Sequence, residues 1–274
     1  MIYPRTFQSH AAVADHYDEL DPVYRPLWGE HVHHGLWHRG DETAADAVAA
    51  LSDHVGARIG FAPRAHLIDI GCGYGATARR FAARGAIVTG LTLSQAQRAA
   101  APVAANVTLL FRDWLENGLA PATFDGGYAI ESTEHMGDKP RFFSEARRVL
   151  RAGARLVVCA WLADESPRAW QVRHLLAPIC DEGRLPSLGT ASDYRAMARE
   201  AGFSCGDYQD VSAAVARTWT ICLSRFARAF PIDPALRRMA LRGRNRRFLL
   251  SVPRMILAYR TGALRYGIFT FVAE

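Results

Sequence analysis

Short apolar runs recur along the first two thirds of the chain, each followed by a polar or glycine-rich turn and then by a stretch in which apolar residues return every three or four positions. His66–Ile70, Ala86–Leu91, Val107–Phe111, Phe124–Ile130 and Arg155–Trp161 have the first pattern and are predicted strands. Helices are predicted between them: from Ala76 to Ala83, after Ser94 (which forms an S-x-x-Q capping box with Gln97), and from a cap at Asp138 through Val149 to a stop near Gly153. This alternation implies a parallel, doubly wound sheet with right-handed crossovers. After Trp161 the rhythm changes. Residues 162–190 carry Pro167, Pro178 and Pro186 and read as an insertion over the sheet. Ser192–Ala201 is a predicted helix, Cys205–Val211 a strand, 213–260 mostly helical, and Leu264–Val272 a last alternating strand. Upstream, Ala11–Leu20 and Thr43–Val55 have helical spacing, the second started by Asp41 and Glu42. The aromatic and histidine-rich segment between them, 24–38, reads as a lid over a bound ligand. The whole is an α/β fold of about seven strands: residues 1–60 a helical lid, 61–274 the core, with cap insertions at about 162–190 and 213–261.

The strongest chemical signal is Asp69-Ile70-Gly71-Cys72-Gly73-Tyr74-Gly75 at the end of the first strand. Glycines there let backbone approach a ligand, and the following helix start favours a polar or anionic group. The spacing is G-x-G-x-G, not the G-x-G-x-x-G of nicotinamide and flavin sites, and the acid two residues before the first glycine suits a ligand with an ammonium group. The second strand ends in Leu91-Thr92-Leu93-Ser94, without the acid that a dinucleotide site uses on its ribose. Thr92 or Gln97 is left for the ribose, unless Gln97 only caps its helix. S-adenosylmethionine, with a carboxylate and an ammonium, fits this pattern better. Asp113 stands where an acid accepts from an adenine amino group and Trp114 where an aromatic covers the ring; the alternative for Asp113 is a turn acid. Glu131-Ser132-Thr133-Glu134-His135-Met136 puts two carboxylates and a histidine at the mouth of the central strand.

Composition narrows the setting. With 274 residues, 50% hydrophobic and 22% charged, the chain has the make-up of an ordinary globule. Its five cysteines form no C-x-x-C pair and suit reduced thiols in a cytoplasm. The N-terminal segment has no signal-peptide pattern, and the run Phe248–Leu257 is too short for a membrane span and is broken by Pro253. His31, His33, His34 and His38 have neither zinc-finger nor H-E-x-x-H spacing, so no metal is expected. Part of the net charge of +6 falls at Arg237, Arg238, Arg242, Arg244, Arg246 and Arg247. A diphosphate, a nucleic acid or an anionic membrane would meet such a cluster, but a solvated helix face is the favoured reading, and no nucleic-acid partner is expected.

These motifs, with Trp28–Trp37, Gly90–Gln97, Glu131–Met136, Ile179–Pro186 and Ala258–Thr270, resemble the S-adenosylmethionine-dependent methyltransferases with a seven-stranded Rossmann-like core, and among them the γ-tocopherol methyltransferase-like group. The resemblance spans nearly the whole chain. It implies that Asp69, Gly71, Gly73 and Gly75 hold the amino-acid end of S-adenosyl-L-methionine, that Thr92, Leu93 and Gln97 face ribose and adenine with Asp113 and Trp114 at the base, and that Tyr17 and the His33-His34 turn close the lid. Glu131 is grouped with these cofactor-binding residues. Members of the group methylate oxygen, nitrogen or carbon. A compact bacterial enzyme of secondary metabolism, acting on a small molecule, is implied; a homodimer stays open.

A sulfonium methyl is already activated, so the protein has mainly to align the acceptor, exclude water and, for a phenol, remove a proton. His135, oriented by Glu134, is the expected general base and His34 the fallback; the alternative is that Glu134 and His135 cap a helix or wall the cofactor. A hydroxyl oxygen is the expected acceptor atom. Two further readings stand beside it. One is a methyltransferase-like cyclase or scaffold. The other is C-methylation of an isoprenyl diphosphate, with Arg242 and Arg246 on the diphosphate and Glu131 near a developing cation.

Overall fold

The computed structural model describes residues 1–8, 18–19, 29, 31–242 and 246–274, with main chain alone for residue 239 and residues 246–250. Tyr17 and most of the predicted helix over 11–20 lie outside the described residues.

Period-two alternation inside the strands decides the layers. In β1 (His66–Ile70), Ile68 and Ile70 face one side of the sheet and Leu67 the other; in β5 (Leu150–Ala163), Leu156 and Val158 face the first side, Val157 and Cys159 the second. One side is filled by Phe142, Phe143 and Ala146 of a long helix, with Tyr194, Phe269 and Phe271. The other is filled by Leu51, Val55 and Ile59 of α1 (Ala44–Ile59) and by Ala78 and Phe81 of α2 (Ala76–Ala82). Thus α1 is part of the core packing, and the lid boundary expected near residue 60 does not follow a packing boundary. Its cap is Thr43, whose Oγ1 accepts from Asp46 N at 3.1 Å; the predicted starter Glu42 accepts from the backbone N–H groups of His38, Arg39 and Gly40 instead.

Seven strands form one sheet in the order β3-β2-β1-β4-β5-β7-β6, with β2 Ile87–Thr92, β3 Val107–Phe111, β4 Phe124–Ile130, β6 Phe203–Asp210 and β7 Leu264–Ala273. The first five run parallel, as expected. β7, for which the sequence reading gave no direction, is antiparallel to both β5 and β6. Apolar alternation identifies a strand but carries no direction. β5 also begins five residues before the predicted start: a register shift lets Leu150 pair with Phe124 and Arg155 with Gly126, so Gly153 lies within the strand.

α3 (Gln95–Ala100) follows β2, and α4 (Lys139–Val149) is capped by Asp138, which accepts from Arg141 N at 2.8 Å. α5 (Ala169–Gln171) and α6 (Ala177–Glu182) flank a π turn in the first insertion; α7 (Ala191–Glu200) precedes β6. α8 (Ser212–Val215), α9 (Arg217–Ala229), α10 (Pro234–Arg242) and α11 (Arg246–Arg260) make up the second. Leu175, Leu176 and Ile179 of the first insertion pack with Trp219, Val252 and Met255 of the second in a separate apolar cluster. α11 carries Pro253 in its interior, in the stretch 213–260 read as mostly helical.

Candidate active site

The loop after β1 is pressed against the loop after β4. Gly71 has φ +82°, and a Cβ built there would stand 2.3 Å from Ser132 Cβ, so only glycine fits. Ser132 Oγ donates to Ile70 O at 2.5 Å, and the N–H groups of Gly71 and Cys72 both donate to Leu91 O. At Gly73 the surroundings open: the nearest atom to a Cβ would be Gln97 Oε1 at 3.8 Å. Gly75 caps α2 and packs on Leu109.

Gly71 and Gly73 line a cleft at the carboxyl ends of β1 to β4 that holds about 770 Å³, counting its solvent-open part. β2 and its loop supply Leu91, Thr92, Leu93, Ser94 and Gln97; β3 supplies Arg112, Asp113 and Trp114; Val32 comes from the N-terminal segment. Only half of the predicted capping box forms. Ser94 Oγ accepts from Gln97 N at 3.1 Å, while the Gln97 side chain turns back to accept from Thr92 Oγ1 at 3.4 Å, beside the cleft. Asp113 is both a turn acid and a cleft residue: one of its oxygens accepts from Leu115 N at 2.8 Å. Trp114 borders the cleft but is 3% exposed, and its indole N–H donates to Phe142 O.

Asp69 lies beneath the glycine turn, fully buried. Burial pushes its carboxyl up to about 7, against the hydrogen bond donated by Tyr128 Oη at 2.9 Å. Apolar walls at Leu91 and Ile130, polar groups at Thr92, Gln97 and Asp113, a turn without side chains and a buried carboxyl at its foot fit a nucleoside with a cationic tail.

The β4 end carries the best-ordered polar cluster. Glu131 has φ +53°, strained for a side-chain-bearing residue, and this conformation aims its carboxylate at four donors. His34 N and Tyr266 Oη donate to Oε1 at 2.7 and 2.8 Å; His34 Nδ1 and Trp161 Nε1 donate to Oε2, both at 2.9 Å. Burial alone would raise Glu131, but the His34 charge and hydrogen bonds outweigh it and hold the carboxyl down to about 2. Because a carboxylate only accepts, His34 Nδ1 is the donor to Glu131, and Nε2 is the ring nitrogen turned away from it. Tyr259 Oη lies 3.4 Å from that Nε2. Burial and the Glu131 charge keep the Tyr259 phenol protonated well past its ordinary range. The rings of Trp161, Trp219, Tyr259 and Tyr266 surround His34 at centroid distances of 5.2–5.9 Å.

His135 lines the cleft, but its expected partner is turned away. Glu134 Oε1 accepts from Trp161 N, and Oε2 accepts from Thr133 Oγ1 at 3.2 Å; Thr133 in turn meets Tyr194 Oη at 2.8 Å. Burial pushes Glu134 up to about 8, and its two oxygens are engaged by Trp161 and Thr133. Buried Lys139, lowered to about 8 by burial, donates to Met136 O, Ser187 O and Ser187 Oγ and ties the cleft wall to the first insertion. His33 is buried next to the cluster: its Nδ1 donates to His34 O, and its Nε2 meets His31 Nδ1 at 3.1 Å.

The sequence reading missed Trp161, Tyr259, Tyr266 and Thr218, whose Oγ1 accepts from Gly35 N at 3.0 Å. Tyr259 and Tyr266 stand within a stretch that carried the family likeness, but nothing local tied them to His34. Neither His34, which is fully buried, nor Arg242, which is exposed, is among the cleft residues; the Arg246 side chain lies outside the described ones.

A family model described as mycolic acid cyclopropane synthetase matches residues 5–232. A probable tocopherol O-methyltransferase, chloroplastic, from Oryza sativa subsp. japonica is 31% identical over 94% of this chain and 76% of its own length. The 27-O-demethylrifamycin SV methyltransferase of Amycolatopsis mediterranei (strain S699) is 33% identical over 77% of this chain and 80% of its own. Among solved structures, mycolic acid cyclopropane synthase CmaA1, complexed with SAH and CTAB, has a TM-score of 0.84 at 23% identity, covering 97% of this chain and 99% of that one; this is a likeness of fold.

Proposed function

We propose, for a chain that belongs to the mycolic acid cyclopropane synthetase family and is an S-adenosylmethionine-dependent methyltransferase, that it methylates a hydroxyl oxygen of a small aromatic acceptor, with His34 taking the acceptor's proton. The observation that carries this reading is the Glu131–His34 pair: a carboxylate held well below its ordinary range accepts from Nδ1, with Nε2 turned towards Tyr259 inside a cage of aromatic rings. The arrangement parallels the carboxylate that orients and supports histidine in catalytic triads. Tyr259 Oη, the loose partner of Nε2, is the group an acceptor hydroxyl would displace.

When bound, the sulfonium cofactor supplies a methyl group whose departure leaves a neutral thioether. Asp69, Gly71, Gly73 and Gly75 would hold its amino-acid end, Thr92, Leu93 and Gln97 would face ribose and adenine, and Asp113 and Trp114 would stand at the base, with His33 on the N-terminal side. Glu131 leaves the cofactor group and serves the base, and His135 remains as cleft wall. A carbocation beside Glu131 is disfavoured, because four donors already use its charge. Five unbonded cysteines support a reducing, cytoplasmic setting. The similarity to the 27-O-demethylrifamycin SV enzyme supports a bacterial secondary metabolite as acceptor.

The test is transfer of labelled methyl from S-adenosylmethionine to 27-O-demethylrifamycin SV or γ-tocopherol, with the labelled atom located by NMR. Label on oxygen is expected. Label on carbon or nitrogen, or conversion of an acceptor without methyl transfer, would contradict the reading.

A further inference from the structure

The charge of this protein is unevenly placed. Residues 212–262 hold eleven arginines and one acid, Asp233, so the rest of the chain is net negative. That acid is occupied in starting α10: its Oδ1 accepts from Ala235 N at 2.8 Å and Leu236 N at 3.1 Å. α9 and α10 both pack on α11. Along α10, Ala235, Arg238, Leu241 and Arg242 recur at helical spacing and are exposed, with Leu236 buried on the other side. At the end of α9 and in the turn that follows, Arg228, Pro231 and Ile232 are exposed as well. Ile232 is 79% and Leu241 66% exposed.

Single exposed aliphatic residues are ordinary. Here the composition of the whole face differs: among the described residues from 223 to 242, every exposed one is arginine, proline or aliphatic. A solvated face would carry acids, hydroxyls or amides among its arginines. A nucleic-acid face would add aromatic or amide side chains to stack on or read bases. A self-pairing face would set arginine against arginine across a two-fold axis. Arginines interleaved with bare aliphatic side chains match instead a surface that lies in a bilayer interface, cations on lipid phosphates and apolar tips among the acyl chains.

We propose that the exposed face formed by the α9–α10 turn and α10 docks on an anionic lipid bilayer. This sets the cap, whose inner side reaches His34 through Tyr259, at the lipid surface.

The test is flotation of the full chain with vesicles of phosphatidylcholine alone and of phosphatidylcholine with about a third phosphatidylglycerol. The chain is expected to float with the anionic vesicles, to stay behind with the neutral ones, and to be released by about 0.5 M salt. Arg238→Glu with Arg242→Glu is expected to weaken binding by more than tenfold, and Ile232→Asp with Leu241→Asp to weaken it as well. Cofactor affinity and thermal midpoint should be unchanged in both. Failure of the wild-type chain to float, equal flotation on neutral vesicles, or binding that survives the arginine reversals would overturn the proposal. So would duplex DNA binding abolished by those reversals without vesicle binding, or a dimer split by the aliphatic substitutions without it. The lipid and salt dependence of the unaltered chain stands as a test even if a variant fails to fold.

Discussion

Asp69, next to last in β1, accepts from Tyr128 Oη, and burial lifts it to about 7, whereas an unfolded aspartate titrates near about 4. Between those values the folded chain holds more protons than the unfolded one, so this residue makes stability fall as pH rises through that window. Asp69→Asn is therefore expected to raise the thermal midpoint relative to wild type more at pH 8 than at pH 5. Because a cationic ligand tail favours the ionised carboxyl, cofactor affinity should increase from pH 6 to pH 8 with proton release, and the variant should lose that dependence; calorimetry in two buffers of different ionisation enthalpy reads both. The two glycines above separate in the same way. Gly71→Ala meets Ser132 and should destabilise the fold by about 2 kcal/mol or more, whereas Gly73→Ala has space, costs about 1–2 kcal/mol in backbone strain and should chiefly weaken cofactor binding. Asp69, Gly71, Gly73 and Gly75 were legible in the sequence because one turn holds them all. The partner of Glu131 was not: His34 is 97 positions away, and the acid's neighbours suggested Glu134 and His135 as a pair when Glu134 faces the core.

At the scale of elements, β1, β3 and β4 and the helix from Asp138 to Val149 follow directly from apolar period and caps. Strand direction was not legible: nothing in the alternation of Leu264–Ala273 tells a strand inserted antiparallel between β5 and β6 from another parallel one. Lys139 joins elements that the sequence left separate. Its ammonium ties the Met136 wall of the cleft and the N-terminus of α4 to Ser187 in the first insertion. Lys139→Ala is expected to cost about 2–4 kcal/mol, by leaving three buried acceptors without their donor and a cavity behind, measured by urea denaturation. A loss within about 0.5 kcal/mol would show that the tie is idle.

Across the whole molecule, the catalytic proposal rests on an assembly of distant pieces: His34 from the N-terminal segment, Glu131 from β4, Trp161 from β5, Trp219 from α9, Tyr259 from α11 and Tyr266 from β7. The residues assigned to the cofactor fall in contiguous motifs, whereas the cluster around His34 exists only once the sheet has formed, which is why its membership could not be read from the sequence. Glu131→Gln should expose that dependence, because it removes the shared anion beneath four donors. A cost of about 3–5 kcal/mol is expected at neutral pH, diminishing as the pH falls from about 4 towards 2, where the wild-type carboxylate itself becomes protonated. The most direct test compares single-turnover methyl transfer by wild type, His34→Asn and His135→Ala with saturating S-adenosylmethionine and 27-O-demethylrifamycin SV. Asparagine keeps a donor where Nδ1 stood and removes the base, so His34→Asn should lose about 100- to 1,000-fold in rate with cofactor affinity intact, and His135→Ala far less. Transfer by His34→Asn within a few-fold of wild type, or a larger loss in His135→Ala, would contradict the assignment of the base to the Glu131–His34 pair.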